Sequence, residues 1–220
     1  MIKISDAVRG ILYSSEVALS AFRGGYLNLS AYAKTIQKET EARAKKPVRI
    51  GSIVVALSRL GRTLGERNDS LLPRVIADTI SVKSGLVELA FAKTRENRER
   101  LAGLYKNRQF QSAEFFTVTQ GINEISIIVS EAFRSQVLAI YKHQKPKLSL
   151  DRLVAITVCF SERYIEVPNI TFAIVRVLAL QRINIVEIVS TFTELTFILR
   201  QNDLPRAFAL LHDFFGNPRR

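Results

Sequence analysis

Side chains able to do chemistry are few in this sequence, and most of them are cationic. There is one cysteine, Cys159, and there are two histidines, His143 and His212. A structural metal site needs three or four Cys, His or carboxylate ligands at close spacing, and no such set stands near them. Cys159 sits between Val158 and Phe160, where a free cysteine packs as a small buried hydrophobe. Each histidine falls near the end of a helical pattern, so contact with a helix C-terminus is its expected role. No Gly-rich phosphate cradle, dinucleotide fingerprint or nucleophile beside a base is legible; no enzymatic activity, metal or cofactor is expected. What remains is positive charge. The 220 residues carry a formal net charge of +12, and such a surface attracts polyanions. From Lys34 to Arg67, nine Lys and Arg stand against three Glu. Lys34, Lys38, Lys45, Lys46, Arg49, Arg59 and Arg62 are the candidate nucleic-acid contacts. DNA is the first expected partner, with RNA, another polyanion or a plain docking face as the other options.

Helices must place those cations. Val8, Ile11, Leu12, Leu19 and Phe22 recur at helical spacing as far as Gly24-Gly25, which suggests one or two helices. Asn28 or Ser30 can then cap a helix that buries Leu29, Ala33, Ile36 and Thr40 and turns Lys34, Lys38, Glu41 and Lys45 outward. Pro47 ends it. Another helix starts at Ile50 or Ser52, with Ile53, Val54, Leu57, Leu60 and Leu64 inward and Arg49, Ser52, Arg59 and Arg62 outward. Residues 1–65 therefore read as a small domain of three short helices with basic outer faces, similar to a helix-turn-helix. The joint from Ala42 to Ile50 is longer than the three or four residues of a strict turn. Polar Gly65 to Ser70 opens a linker, 66–78.

The rest of the chain repeats itself. Laying 118–129 over 188–199, 70 positions on, matches two strand hairpins without a gap and puts Glu124 on Glu194. A helical pattern follows each hairpin at the same offset: Val137, Ile140 and Tyr141, then Ala207, Leu210 and Leu211. Upstream, Leu86 to Phe91 is matched to 156–161 as a strand, with helices expected over Glu96 to Asn107 and Asn169 to Gln181. The order β-α-β-β-α thus occurs twice, over 79–147 and 148–216, and the fold class is α+β with two tandem ferredoxin-like units. The second copy runs out after Phe215 without a fourth strand, so Val75 to Lys83 or a partner chain is expected to supply one.

In the second copy a strand is followed by Val167-Pro168-Asn169-Ile170, an apolar helix, Ile183-Asn184-Ile185 and a strand ending at Ser190, and Asn202-Asp203-Leu204 opens the last helix. In that order these elements resemble the ACT domain, in the form seen in the regulatory regions of aspartate kinases. The resemblance covers about 150–215 directly and 80–146 through the repeat. It implies a small ligand, commonly an amino acid, held between domains by the loop Val167, Pro168, Asn169 and Ile170 and by Asn184, Ile185 and Val186. Unpaired N–H groups and the dipole at a helix N-terminus suit a ligand carboxylate. Asn169 stands where the family usually has Gly, either as a left-handed residue or as the helix N-cap. Lys93 to Arg98 replaces the loop in the first copy, which implies a fold kept and a ligand lost.

The expectation is a cytoplasmic, amino-acid-responsive regulator that contacts DNA through its helical domain and forms a homodimer or higher oligomer through its ACT-like units. A docking subunit that binds a metabolic enzyme and no DNA is the alternative. A membrane partner is not expected, because no run approaches about 20 apolar residues and the first residues lack a secretion signal.

Overall fold

Alternating helix caps and helix breakers divide the first part of the chain. The computed structural model describes residues 2–65, 72–142 and 144–216. These belong to two units, Met1–Leu71 and Leu72–Arg220. In the first, the stretch expected to form one or two helices forms two, giving four among the described residues: α1 (Ile4–Tyr13), α2 (Glu16–Arg23), α3 (Leu29–Ala44) and α4 (Ile50–Gly65). The break between α1 and α2 is local serine chemistry. Ser14 Oγ donates to the Ile11 carbonyl at 2.7 Å, and Ser15 Oγ accepts the Ala18 N–H at 3.2 Å as the N-cap of α2. Asn28, not Ser30, caps α3, accepting the Ala31 N–H at 3.0 Å. Lys45 takes a left-handed backbone (φ 53°) after Ala44, and Pro47 bars continuation.

The α3–α4 connection is held by side chains from α3. Gln37 Nε2 donates to the Val48 carbonyl at 2.9 Å, and Glu41 Oε1 accepts the Val48 N–H at 2.9 Å. Glu41, expected on the solvent side, is thus a turn clamp. The core of this unit joins Val8, Leu12, Leu19, Ile36, Ile53 and Leu57, each contributing about 1.5–3 kcal/mol through burial. The side chain of Leu64, and residues 66–71 of the expected linker, lie outside the described residues.

The second unit is built on β1 (Ala77–Ala92), α5 (Arg95–Lys106), the short α6 (Arg108–Gln111), β2 (Phe116–Gln120), β3 (Glu124–Ser130), α7 (Arg134–Ile140), β4 (Leu148–Phe160), α8 (Ile170–Leu180), β5 (Ile185–Ser190), β6 (Glu194–Arg200) and α9 (Leu204–Gly216). All pairings are antiparallel, in the order β2-β3-β1-β4-β6-β5. Both hairpins have three-residue connections, closed by Gly121 N–H to the Glu124 carbonyl and Thr191 N–H to the Glu194 carbonyl at 2.9 and 3.0 Å.

The two copies are interlocked. Each of the long strands β1 and β4 serves both repeats. Leu86 to Ala92 of β1 pairs with β3 as the first strand of repeat one, while Ala77 to Lys83 lies beside the second half of β4. Conversely, Leu153 to Cys159 pairs with β6 as the first strand of repeat two, and Leu148 to Leu153 lies beside the second half of β1. Each repeat thereby receives its fourth strand from the other, and the strand sought for the second copy is Ala77 to Lys83. Residues 77 and 78, read as linker, already belong to it. Register shifts flank Leu86, where Gly85 has φ +70° and, on the facing strand, Arg152 has φ +52°. Such a bulge lets a strand bend from one sheet geometry into the next.

The repeat alignment needs one correction. Leu86 faces Ser130 and Leu153 faces Arg200, so the first strands correspond 67 positions apart, while the hairpins correspond at 70. Leu86 to Phe91 matches Leu153 to Val158, not 156–161. Repeat two therefore has a net three more residues between its first strand and its hairpin: its strand-to-helix connection is longer (161–169 against 93–94) and its helix-to-hairpin connection shorter (181–184 against 107–115).

Helices cover one face of the sheet. Over repeat one, α5 and α7 bury Leu101, Leu104, Val137 and Tyr141 against Val87, Leu89 and Phe91. Over repeat two, α8 and α9 bury Ile174, Leu178, Ala207 and Leu211 against Val154, Ile156 and Val158. The alternate residues Leu86, Ile128, Leu153, Ala155 and Ile198 form a separate apolar cluster on the other face. There the sheet curls until its two edge strands touch: Thr119 Oγ1 of β2 donates to Glu187 Oε1 of β5 at 3.0 Å.

Candidate functional site

The loop read as a ligand cradle runs from β4 to α8. After Phe160 a short 3-10 turn, Glu162–Tyr164, leads to Ile165, Glu166, Val167, Pro168 and Asn169. Tyr164 anchors it: its hydroxyl accepts the Ile76 N–H at 3.0 Å and the Arg163 guanidinium donates to it at 2.9 Å. No signal in the sequence marked Tyr164, although an aromatic within a polar stretch invites the question of what it packs against. Val167 is half-buried against the repeat-two core and Ile170 is buried in it, while Pro168 and Asn169 are exposed. Asn169 has φ 68°, and its side chain makes no cap hydrogen bond to α8. Of the two roles expected for Asn169, the left-handed one is therefore the one adopted, and its backbone carbonyl accepts the Ala173 N–H at 2.9 Å.

Asn184, Ile185 and Val186 are placed elsewhere. β5 runs parallel to β4, because both are antiparallel to β6. The loop leaves the C-terminal end of β4, and α8, 11 residues and about 16 Å long, carries the chain back before β5 begins. Asn184 and Ile185 thus stand at the other end of repeat two from Val167 to Ile170. Ile185 packs on the helix-side core and Val186 against the opposite apolar cluster. A ligand touching both groups would have to touch them on different copies of the fold.

The curled face holds a polar cluster that sequence reasoning missed. Ser126 Oγ lies 2.7 Å from Glu88 Oε1 and 3.4 Å from Glu187 Oε2. Glu88 is buried, at 6% exposure, with Oε2 lacking a hydrogen-bond partner among the described residues. Burial raises its pKa above the ordinary carboxylate value, Ser126 opposes the rise, and the charge of Glu187 adds to it. A lone Glu within an apolar strand is the signal that could have drawn attention here. In the first repeat, the polar stretch Lys93 to Arg98 hides a structural residue. Asn97 is buried and donates from Nδ2 to the Ala92 carbonyl at 2.8 Å, while Thr94 caps α5.

Other sequence candidates have plainer places. Cys159 is half-buried, not in the core, with Sγ 3.8 Å from Glu194 Oε1. His212 is exposed on the last turns of α9, stacked on Phe208 with ring centroids 6.1 Å apart. His143 lies outside the described residues. No group of three or more potential metal ligands occurs among the described residues, and no helix there is long and apolar enough to cross a membrane.

In the helical unit all seven candidate cations are exposed: Lys34, Lys38, Lys45, Lys46, Arg49, Arg59 and Arg62. None of them makes an ion pair among the described residues, whereas Arg43 pairs with Glu39 at 2.6 Å. Two of the seven, Lys46 and Arg59, meet across an open cleft of about 390 Å³. They are joined by Lys3 and Arg9, from the start and middle of α1. These last two were overlooked because α1 was read only for its apolar stripe.

No protein-family model matches the sequence, and no curated protein matches it. In structure the chain is similar to aspartate kinase from Clostridium acetobutylicum, with a TM-score of 0.54 and 14% identity over 66% of this chain and 36% of that one. It is similar to the alpha and beta subunits of an aspartokinase, with a TM-score of 0.52 and 14% identity over 64% of this chain and 99% of the other. It is also similar to the ligand-free regulatory subunit of aspartate kinase from Thermus thermophilus, with a TM-score of 0.51 and 10% identity over 65% and 99%. The chain thus spans 36% of the length of the Clostridium enzyme but nearly all of the two subunits. At these identities the likeness is one of fold, that of an aspartate kinase regulatory region of the ACT type.

Proposed function

We propose that this chain is a regulatory protein and not an enzyme. Its αβ unit would be an ACT-like module that associates with a second copy and responds to a small molecule, an amino acid being the first class to test. The observation that supports this most is the interlocked six-stranded sheet, whose likeness extends over 99% of two subunits of aspartate kinases. Association has apolar material available: Ile122 and Phe192, equivalent residues of the two hairpin connections, are 93% and 65% exposed. A ligand seated between copies would favour one arrangement over another by its difference in affinity for the two, and by nothing else.

The helical unit would carry the output, as a helix-turn-helix-like DNA contact. Over residues 2–65, eleven Lys and Arg stand against four Asp and Glu, and the seven exposed cations are free to neutralise phosphates. The test is binding of random-sequence duplex DNA by the full chain over a salt series. Affinity should fall steeply with salt, and Arg49→Glu with Arg59→Glu should weaken it and flatten the slope by about two, one per lost phosphate contact. No DNA affinity at low salt would remove this part of the reading and leave the regulatory part standing.

That outcome would favour a second reading, a docking subunit that binds a metabolic enzyme. Its support is the same 99% coverage, because one of those relatives is itself a regulatory subunit.

A further inference from the structure

We infer that the cleft of the helical unit is a binding site for a phosphate-bearing small molecule with a flat or apolar body, of the mononucleotide class. This goes beyond the DNA reading and stands without it. Four cations converge on the cleft from three places in the chain: Lys3 and Arg9 from α1, Lys46 from the α3–α4 turn, and Arg59 from α4. Its lining contains no Asp or Glu, and none of the four cations makes an ion pair among the described residues. Like charges gathered around one concavity repel each other and gain nothing for the fold, so their convergence costs stability until an anion arrives. Charge costs of this kind, tolerated without a structural return, are characteristic of functional sites.

The floor of the cleft decides the class of anion. Ile4, Val55, Ala56 and Leu60 line it, and Val55 is half exposed there. A bare inorganic ion would leave that surface wet, whereas a ligand with a ring or apolar body would cover it while its phosphate meets the cationic rim. Ser5 and Ser52 add hydroxyls able to donate to phosphate or to a ring heteroatom, while the Thr63 hydroxyl donates to the Arg59 carbonyl at 3.0 Å and is left as an acceptor. The volume, about 390 Å³, lies within the range of small-ligand sites and far below what a duplex occupies. Arg9 and Arg59 each offer a planar donor fork, the geometry that grips phosphate through two bonds at once.

Equilibrium dialysis of the full chain with labelled AMP at low salt tests this, with adenosine and inorganic phosphate as competitors. The expected result is saturable binding of AMP at one site per chain, competed by phosphate only at much higher concentration and by adenosine weakly. Lys3→Gln with Arg9→Gln, two exposed positions, should raise the Kd about tenfold or more. The same double variant should melt no lower than the parent in the absence of ligand, because it relieves repulsion. Absence of AMP binding at millimolar concentration, or binding unchanged in the double variant, overturns the inference. Duplex DNA bound without AMP would overturn it while leaving the DNA reading intact; AMP bound without DNA would do the reverse.

Discussion

Shared strands should make the two repeats one cooperative body, and a mild core substitution can test this. Ile127, in β3, is fully buried in the core of repeat one. Ile127→Val removes one methyl group and should cost about 0.5–1.5 kcal/mol. Because β1 gives its first half to repeat two and its second half to repeat one, repeat one cannot open without stripping the fourth strand from repeat two. Its helix-side core would be exposed with it, since Val75 packs there with Phe197 and Leu199. Amides of β6, in the other repeat, should therefore lose protection together with those of β3. A cost of about 1 kcal/mol corresponds to roughly fivefold faster exchange through global opening. Native-state hydrogen exchange resolved to peptides covering β3 and β6 reads both. Similar acceleration in the two peptides is expected. Acceleration confined to β2, β3, α5 and α7, with β6 unaltered, would refute the interlock and leave two independent units in tandem.

Glu88 predicts a pH dependence. Its folded pKa is raised by burial, so the folded state holds the proton more tightly than the unfolded chain. The stability this confers is complete below the ordinary value of about 4.5 and is lost as pH rises through the folded value. Glu88→Gln should abolish that loss, so urea midpoints of parent and variant should diverge, in favour of the variant, as pH climbs above 4.5; parallel curves would contradict the assignment. Tyr141 is fully buried and stacked on Phe91 at 4.0 Å, with a hydroxyl that has no partner among the described residues and a pKa pushed up to about 12 by burial. Tyr141→Phe should keep the stack and stabilise the αβ unit by about 1 kcal/mol, read by denaturant titration. Gly85 has φ +70° and open space at its missing Cβ, so Gly85→Ala should cost about 1–2 kcal/mol through backbone strain alone.

Periodicity made the elements legible where side chains alternate or stripe cleanly. The hairpins at 116–130 and 185–200 and the helices after them stand where the repeat put them. So do α3 and α4, because Asn28 and Pro47 punctuate them. Sharing of strands was legible in part: the missing fourth strand pointed to Val75 to Lys83, which does supply it, but not to the reciprocal loan from β4. Nothing in the residues of β1 announces that one continuous strand of 16 residues serves both repeats of a single sheet; that depends on pairing with β4, which is far away in sequence. Loop lengths hid the register, since a longer connection before α8 and a shorter one after it leave the first strands 67 positions apart and the hairpins 70. The candidate sites were legible in type and not in grouping. Lys46 and Arg59 could be named from composition, but their convergence with Lys3 and Arg9 depends on how α1 packs beside α4. Val167 to Ile170 and Asn184 to Val186 were assembled from a resemblance, whereas the path of α8 sets them at opposite ends of one repeat.

The regulatory account stands most directly on whether the αβ unit takes an amino acid. Thermal unfolding of the full chain, repeated with each standard amino acid at millimolar concentration, measures it, because a ligand that binds only the folded state raises Tm in proportion to ln(1 + [L]/Kd). The account predicts that one amino acid, or a chemically related few, raises the transition of the αβ unit in a dose-dependent way. A transition unmoved by every one of them would contradict the sensing role and leave the fold as a module for association alone.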